Sequence, residues 1–280
     1  MVRIITDSTS DLGLERAREL GVEMVPLSVH FGEEAYLDGI DLTSEEFYKR
    51  LEVSEQLPTT SQVSPETFAQ VFRKYLDQGD EIVGLFISAD MSGTRQSAGI
   101  AREMVDGEDK IFLLESGTVT FALGLLVETA VQLREEGLSA REIAERMEKL
   151  IPRVRLLAAV NTLKYLKMGG RISTATALVG GLLGITPIIT IKDGLVASIG
   201  KARGRKAALQ WIAERIKETP ADLSLPVAFG YTADPAAMAE CEEILGGLVE
   251  GTRKLEMTIG SVVGTHVGPG AVGLAYFVQK

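Results

Sequence analysis

The chain has 280 residues, 45% of them hydrophobic, and a formal charge of -10 at pH 7. Length and composition fit a soluble globular protein with one large core or two modest ones, and the acidic balance argues against general nucleic-acid binding, which needs a basic surface or a dense basic patch. Cys241 is the only cysteine and cannot form an intramolecular disulfide. With neither a signal peptide nor an apolar run of membrane-spanning length, the expected setting is the cytoplasm, with no stable membrane insertion.

In chain order, residues 2–6 read as a strand, a helix follows from Leu12, residues 25–29 read as a second strand, and helices start at Thr43 and Ser64. Residues 82–87 and 110–114 are further strands, separated by a helix after Gly93. Strand and helix in alternation predict a parallel sheet covered on both faces. Loops leaving the strand ends then gather at one edge, where open α/β sheets bind ligands, so Asp7-Ser8-Thr9-Ser10 and residues 90–94 should converge.

Two amphipathic helices over residues 118–136 and 139–150, parted at Gly137, lead to a second lobe. There residues 156–160, 185–190, 195–200, 226–231, 255–262 and 271–278 read as strands, with a hairpin turn at Lys192-Asp193-Gly194. Helices over residues 205–217 and 235–245 should cover one face of this partly antiparallel sheet. The expected fold class is therefore two-lobed α/β. An N-terminal parallel α/β lobe spans residues 1–155 and a C-terminal mixed or antiparallel lobe residues 156–280, with Pro152 interrupting the pattern at the junction.

The most informative segment is Val263-Gly264-Thr265-His266-Val267-Gly268-Pro269-Gly270, which sets one of two histidines among three glycines and a proline. It reads as a loop holding a partner closely, since glycine permits close backbone approach and proline stiffens a turn. The plainer alternative is a tight turn with a hydrogen-bonded histidine. Three other polar segments accompany it: Pro58-Thr59-Thr60-Ser61-Gln62, Asp90-Met91-Ser92-Gly93-Thr94 and Met168-Gly169-Gly170-Arg171-Ile172-Ser173.

Thr-Thr-Ser-Gln, Ser-Gly-Thr followed by Gln96-Ser97-Ala98, Leu-Lys-x-Gly-Gly-Arg-Ile and Gly-Thr-His-x-Gly-Pro-Gly occur in an order and at spacings that resemble the DegV family. Those proteins are the fatty-acid-binding subunits of bacterial fatty acid kinase, and the resemblance runs from Ile4-Ile5-Thr6-Asp7-Ser8 to the final strand. It implies a long-chain fatty acid as ligand, no cofactor or metal, and a separate kinase catalytic subunit as partner. The chain would then be a carrier rather than an enzyme, presenting the carboxylate for acyl phosphate formation and phospholipid synthesis.

By the same resemblance the fatty-acid carboxylate falls to Thr60, Ser92, Arg171 and His266. Ser61 and the Gly93 N–H complete the donor set that the residues themselves suggest, with Thr94 and Asn161 as secondary candidates. Each has a plainer role: Ser92, Thr94 and Asn161 as helix caps, Arg171 as a surface or ion-paired arginine, His266 as a satisfied core histidine. An apolar channel for the tail is expected between the lobes, with Phe121, Leu182, Ile185 and Ile188 as candidates against an ordinary-core reading. Where the family commonly has Asp-Ser and then small residues, this chain has Glu115-Ser116-Gly117 and Phe121-Ala122, which leaves acyl-length preference open. Arg203 and Arg205, in the one basic cluster, are candidates for kinase docking, or a solvated helix start.

Two readings from other classes compete. Ser92, an acid such as Asp193 or Asp234, and His266 occur in the chain order of an α/β-hydrolase triad, but Asp90 and Thr94 stand where a nucleophile elbow needs glycines. A nucleotide-binding regulator would use Asp7-Ser8-Thr9, yet no Gly-x-Gly-x-x-Gly follows that strand.

Overall fold

The structure, a computed structural model, describes residues 1–54, 56–173 and 184–279. Strands β1 (Val2–Asp7), β2 (Val22–Val25), β6 (Glu81–Phe86) and β7 (Ile111–Glu115) form a parallel sheet in the order β2-β1-β6-β7. Helices α3 (Pro65–Leu76) and α4 (Thr94–Met104) pack on one face of it, α5 (Thr120–Glu135) and α6 (Ala140–Leu150) on the other. The expected helix starts hold at the level of capping: Thr43 and Glu46 form a capping box before α2 (Ser44–Val53), and Ser64 caps α3 ahead of Pro65. Gly137, at φ +88°, parts α5 from α6.

The strand expected at residues 25–29 is instead split around Pro26. Val22–Val25 stays with β1, whereas Ser28–Phe31 (β3) turns into a small antiparallel sheet, β4-β3-β5, with β4 (Glu34–Leu37) and β5 (Thr59–Ser61). Proline has no N–H for the ladder, and the next amide, Leu27, donates to the Ser8 hydroxyl at 3.1 Å rather than to a strand.

Six strands build the second sheet, in the order β10-β9-β8-β13-β11-β12: β8 (Val154–Ala159), β9 (Ile185–Lys192), β10 (Leu195–Arg203), β11 (Val227–Tyr231), β12 (Lys254–Thr258) and β13 (Val272–Phe277). Only β11 and β12 pair in parallel. Helices α8 (Arg205–Glu218) and α9 (Pro235–Leu245) cover one face, and their core includes Leu157, Ala159, Ile188 and Cys241. Cys241 is fully buried, and burial pushes its thiol up to about 12.

Helix α5 lies against strands of both sheets and buries residues on every side, from Thr120 to Leu133. One apolar cluster therefore runs from Ile4 and Val83 through α5 to Leu156 and Ala275. Glu128, on α5 and 1% exposed, accepts from Arg16 in α1 (Leu14–Glu19) at 2.6 Å and from Arg253 at 2.6 Å, so a buried carboxylate ties both sides to the helix.

Candidate functional site

The expected strand over residues 255–262 stops at Thr258, and the glycine-rich segment expected to be a loop holds helix α10 (Ser261–Val267). The cause is a pair of buried acids far upstream. Asp38 accepts from the Ser261 N–H (2.9 Å) and hydroxyl (2.6 Å), and Asp11 accepts from the Gly260 N–H (2.9 Å), so the amides that open α10 are satisfied. Burial raises the carboxyl pKa of both. Gly264 is helical, and its missing Cβ lets α10 lie against Tyr48 and Phe47; Gly268, at φ +74°, ends the helix.

Between the two sheets lies a cavity whose walls divide by polarity. Leu156, Ala158, Ile189, Ile191, Val196 and Phe121 represent its apolar lining, while Thr60, Gln62, Ser92, Gly93, Arg171 and His266 are the polar groups set in half-buried or exposed positions. Strand parity decides which residues belong. Leu156 and Ala158 face the cavity and Leu157 and Ala159 face α8 and α9; one strand over, Ile189 and Ile191 line it while Ile188 is buried on the helix side. Ile188, expected to touch the tail, is therefore off by one position. Ile185 sits at the beginning of β9 opposite Arg203 and does not line the cavity, and Leu182 lies outside the described residues.

The same alternation sorts β5. Thr60 and its neighbour Gln62 line the cavity, whereas Ser61 points away, its hydroxyl 2.8 Å from His30 Nε2. Gln62, unforeseen from the sequence, lies flat on Gly93, where a Cβ would collide with its amide, and donates to Ser97 Oγ at 3.0 Å. Counting two positions on from Thr60 would have found it.

Ser92 lines the cavity and also braces the start of α4, whose N-cap is Gly93: its hydroxyl accepts from the Thr94 N–H at 3.3 Å and lies 2.9 Å from Thr94 Oγ1. Thr94 itself is fully buried and outside the lining, and Asn161 is exposed, packed against Gly270. Arg171 is half-buried, donating from Nε to the Met91 carbonyl (3.1 Å) and from a terminal nitrogen to the Gly169 carbonyl (2.5 Å). Among the described residues it has no carboxylate partner, so its charge is uncompensated at the cavity wall.

His266 Nε2 lies 3.0 Å from Thr60 Oγ1, and Nδ1 is buried over Gly169 without a hydrogen-bond partner among the described residues. Burial, reinforced by the Arg171 charge, pushes the imidazole pKa down to about 4. The ring is thus neutral near pH 7. The tautomer that leaves no buried N–H unpaired carries its proton on Nε2, donating to Thr60 Oγ1 and freeing the Thr60 hydroxyl hydrogen for an acceptor in the cavity.

Val119, Thr120 and Phe121 all line the cavity, which three successive residues of a regular helix do not do. Thr120 makes it possible by adopting φ +58°, a strained value for a β-branched residue, held by its hydroxyl's 2.5 Å bond to Asp11. The Phe121 ring lies flush on Gly230 of β11, where any Cβ would overlap it.

The hydrolase arrangement is not assembled. Ser92 bonds Thr94, His266 bonds Thr60 and carries no acid on Nδ1, and Asp234 is engaged with Arg205. Asp7-Ser8-Thr9 forms a buried knot, with Asp7 accepting from the N–H groups of Thr9 (2.9 Å) and Ile87 (2.8 Å), and is not open to a nucleotide. Among the described residues no group of histidines, cysteines and acids can hold a metal ion, and no helix is long and apolar enough to cross a membrane.

Comparison with known proteins agrees with this architecture over its full extent. A DegV domain-containing protein of Caldanaerobacter subterraneus subsp. tengcongensis is 37% identical over 280 residues, covering 100% of this chain and 99% of that one. A solved DegV family protein from Thermus thermophilus, described by its fatty acid binding, superimposes with a TM-score of 0.89 at 34% identity, covering 99% of both chains. A stearic acid-binding protein from Eubacterium ventriosum superimposes with a TM-score of 0.89 at 31% identity, covering 99% of this chain and 98% of that one. The model of the DegV family of uncharacterised proteins matches residues 1–279, and the chain belongs to that family.

Proposed function

We propose that this protein binds a long-chain fatty acid, with its tail between the sheets and its carboxylate at Thr60, Ser92 and Arg171. The observation that carries the reading is the division of the cavity wall: a buried apolar lining with hydroxyls, an amide and one uncompensated guanidinium at its exposed side. Each buried methylene contributes about 0.8 kcal/mol, so the tail needs only apolar surface. A carboxylate left without donors would cost several kcal/mol or become protonated, and these groups supply both hydrogen bonds and charge. His266, neutral, acts through Thr60 rather than as a second cation. Fatty-acid binding by the Thermus and Eubacterium proteins of the same fold supports the reading.

As a carrier, the protein contributes no catalytic group and presents the head group to a separate fatty acid kinase for acyl phosphate formation, ahead of phospholipid synthesis in the cytoplasm. The two lobes, joined where α6 leads into β8, then enclose the tail between them. Arg203 is the better docking candidate: it is exposed and has no ion-pair partner among the described residues, whereas Arg205 is committed to Asp234 (3.0 Å) and Glu240 (2.7 Å). Native mass spectrometry of the purified protein, with the released small molecules identified, tests the binding. A stoichiometric fatty acid is expected; an empty protein that also refuses added palmitate and oleate overturns the reading. Arg203→Glu should impair kinase-dependent phosphorylation and leave lipid binding intact.

A further inference from the structure

We infer that Ser88 and Gly194, neither of which lines the cavity, are the residues that position Ser92 and Arg171 relative to each other; the inference rests on the carrier reading above. Ser88 is fully buried just after β6. Its carbonyl accepts from the N–H of Met91 (3.0 Å) and of Ser92 (3.1 Å), and its own N–H donates to the Thr118 carbonyl (2.9 Å), so it fixes the turn that presents Ser92. Its hydroxyl donates to the Gly194 carbonyl at 2.8 Å, across to the second sheet.

Gly194 and Asp193 are the two-residue turn between β9 and β10, with φ of +72° and +50° and Lys192 opposite Leu195. Two residues on, the Val196 N–H donates to the Arg171 carbonyl (3.2 Å) and the Val196 carbonyl accepts from the Ser173 N–H (2.8 Å). Arg171 Nε then returns to the Met91 carbonyl (3.1 Å). Gly194, Ser88, Met91, Arg171 and Val196 thus close a ring of hydrogen bonds and short chain segments that joins Ser92, in the turn after β6, to Arg171, held beside β10.

A side chain at this corner must displace its neighbours. A Cβ on residue 194 would overlap the Asp90 carboxylate and come 2.8 Å from Ser88 Oγ. The hairpin turn therefore sets the width of the carboxylate slot before any ligand arrives; besides Arg171, Met91 and Val196 are the ring members that also border the cavity, while Leu156, Ala158, Ile189, Ile191 and Phe121 of the apolar lining lie outside the ring.

The test is calorimetric titration of palmitate and of hexadecanol, equal in tail and different in head, into wild type, Ser88→Ala and Gly194→Asn. Asparagine tolerates the left-handed turn but brings the obstructing Cβ. Palmitate should bind each variant about tenfold more weakly, the scale of a disturbed hydrogen bond to a charged group, with hexadecanol unchanged. Equal losses for both ligands make the ring general scaffolding and overturn the inference, as does unchanged palmitate binding. Wild type that binds no palmitate overturns the carrier reading itself, a distinguishable result. Amide exchange of ligand-free wild type is a check that needs no variant: Ser92 and Val196 should be protected together, and fast exchange at Ser92 shows the ring to be open.

Discussion

The imidazole of His266 and the hydroxyl of Thr60 meet at 3.0 Å across 206 residues of chain, joining helix α10 to the short strand β5 at the cavity. Thr60→Val keeps the shape, removes the hydroxyl and leaves His266 Nε2 without its partner. Fatty-acid affinity should fall by about 1–3 kcal/mol, the range for losing a hydrogen bond to a charged group. Titration of palmitate measures it, and unaltered affinity would remove Thr60 from the carboxylate site.

Stability against pH should reveal two opposed contributions. Burial raises the Asp7 pKa from 3.8 to about 6, so its stabilisation is complete below pH 3.8 and is lost as pH rises through about 6. His266 is pushed down from 6.5 to about 4, so its contribution is complete above pH 6.5 and is lost as pH falls through about 4. His266→Gln removes the second slope. Its unfolding free energy should therefore drop more steeply than that of wild type as pH rises from about 4 to 6.5, a divergence of up to about 3 kcal/mol that unfolding titrations across this range measure. Parallel curves for the two proteins would contradict the depressed histidine.

Phe121 and Gly230 should move acyl preference in opposite directions. Phe121→Ala opens the tail cavity at a stability cost of about 3–5 kcal/mol and should shift preference toward longer or bulkier chains. Gly230→Ala drives the ring off its seat and toward the cavity, favouring shorter ones. Competition across a ladder of saturated fatty acids reads both shifts, and identical profiles would show that the tail ends elsewhere.

Glu128→Gln keeps the volume of a fully enclosed side chain while removing the charge that Arg16 and Arg253 share. Both arginines are more than a third exposed and retain access to water, so the loss should be about 1–3 kcal/mol rather than the larger cost of a stranded buried ion. Calorimetric unfolding measures it, and fatty-acid affinity in the folded variant should not change.

The parallel sheet, the capped helices and the Asp193-Gly194 hairpin were legible because each depends on signals within a few residues: alternation, caps and turn glycines. Helix α10 was not, because its opening amides are satisfied by Asp11 and Asp38, more than two hundred positions away, and its glycines read locally as loop. At the cavity, the family resemblance pointed to Thr60, Ser92, Arg171 and His266, all of which border it, while Ser61 and Ile188 fell on the wrong side of their strands. Parity along a strand is fixed only once one of its residues is anchored in the fold, and neither strand carried an anchor that the sequence could display.

Cys241, sealed on the buried face of α9 with its thiol pushed up to about 12, should be silent toward alkylating reagents at neutral pH. The native chain is therefore already a blank background for spectroscopy. A single cysteine introduced at exposed Met168, beside the glycine pair that adjoins His266, would accept a fluorophore or spin label without competition and report on ligand arrival.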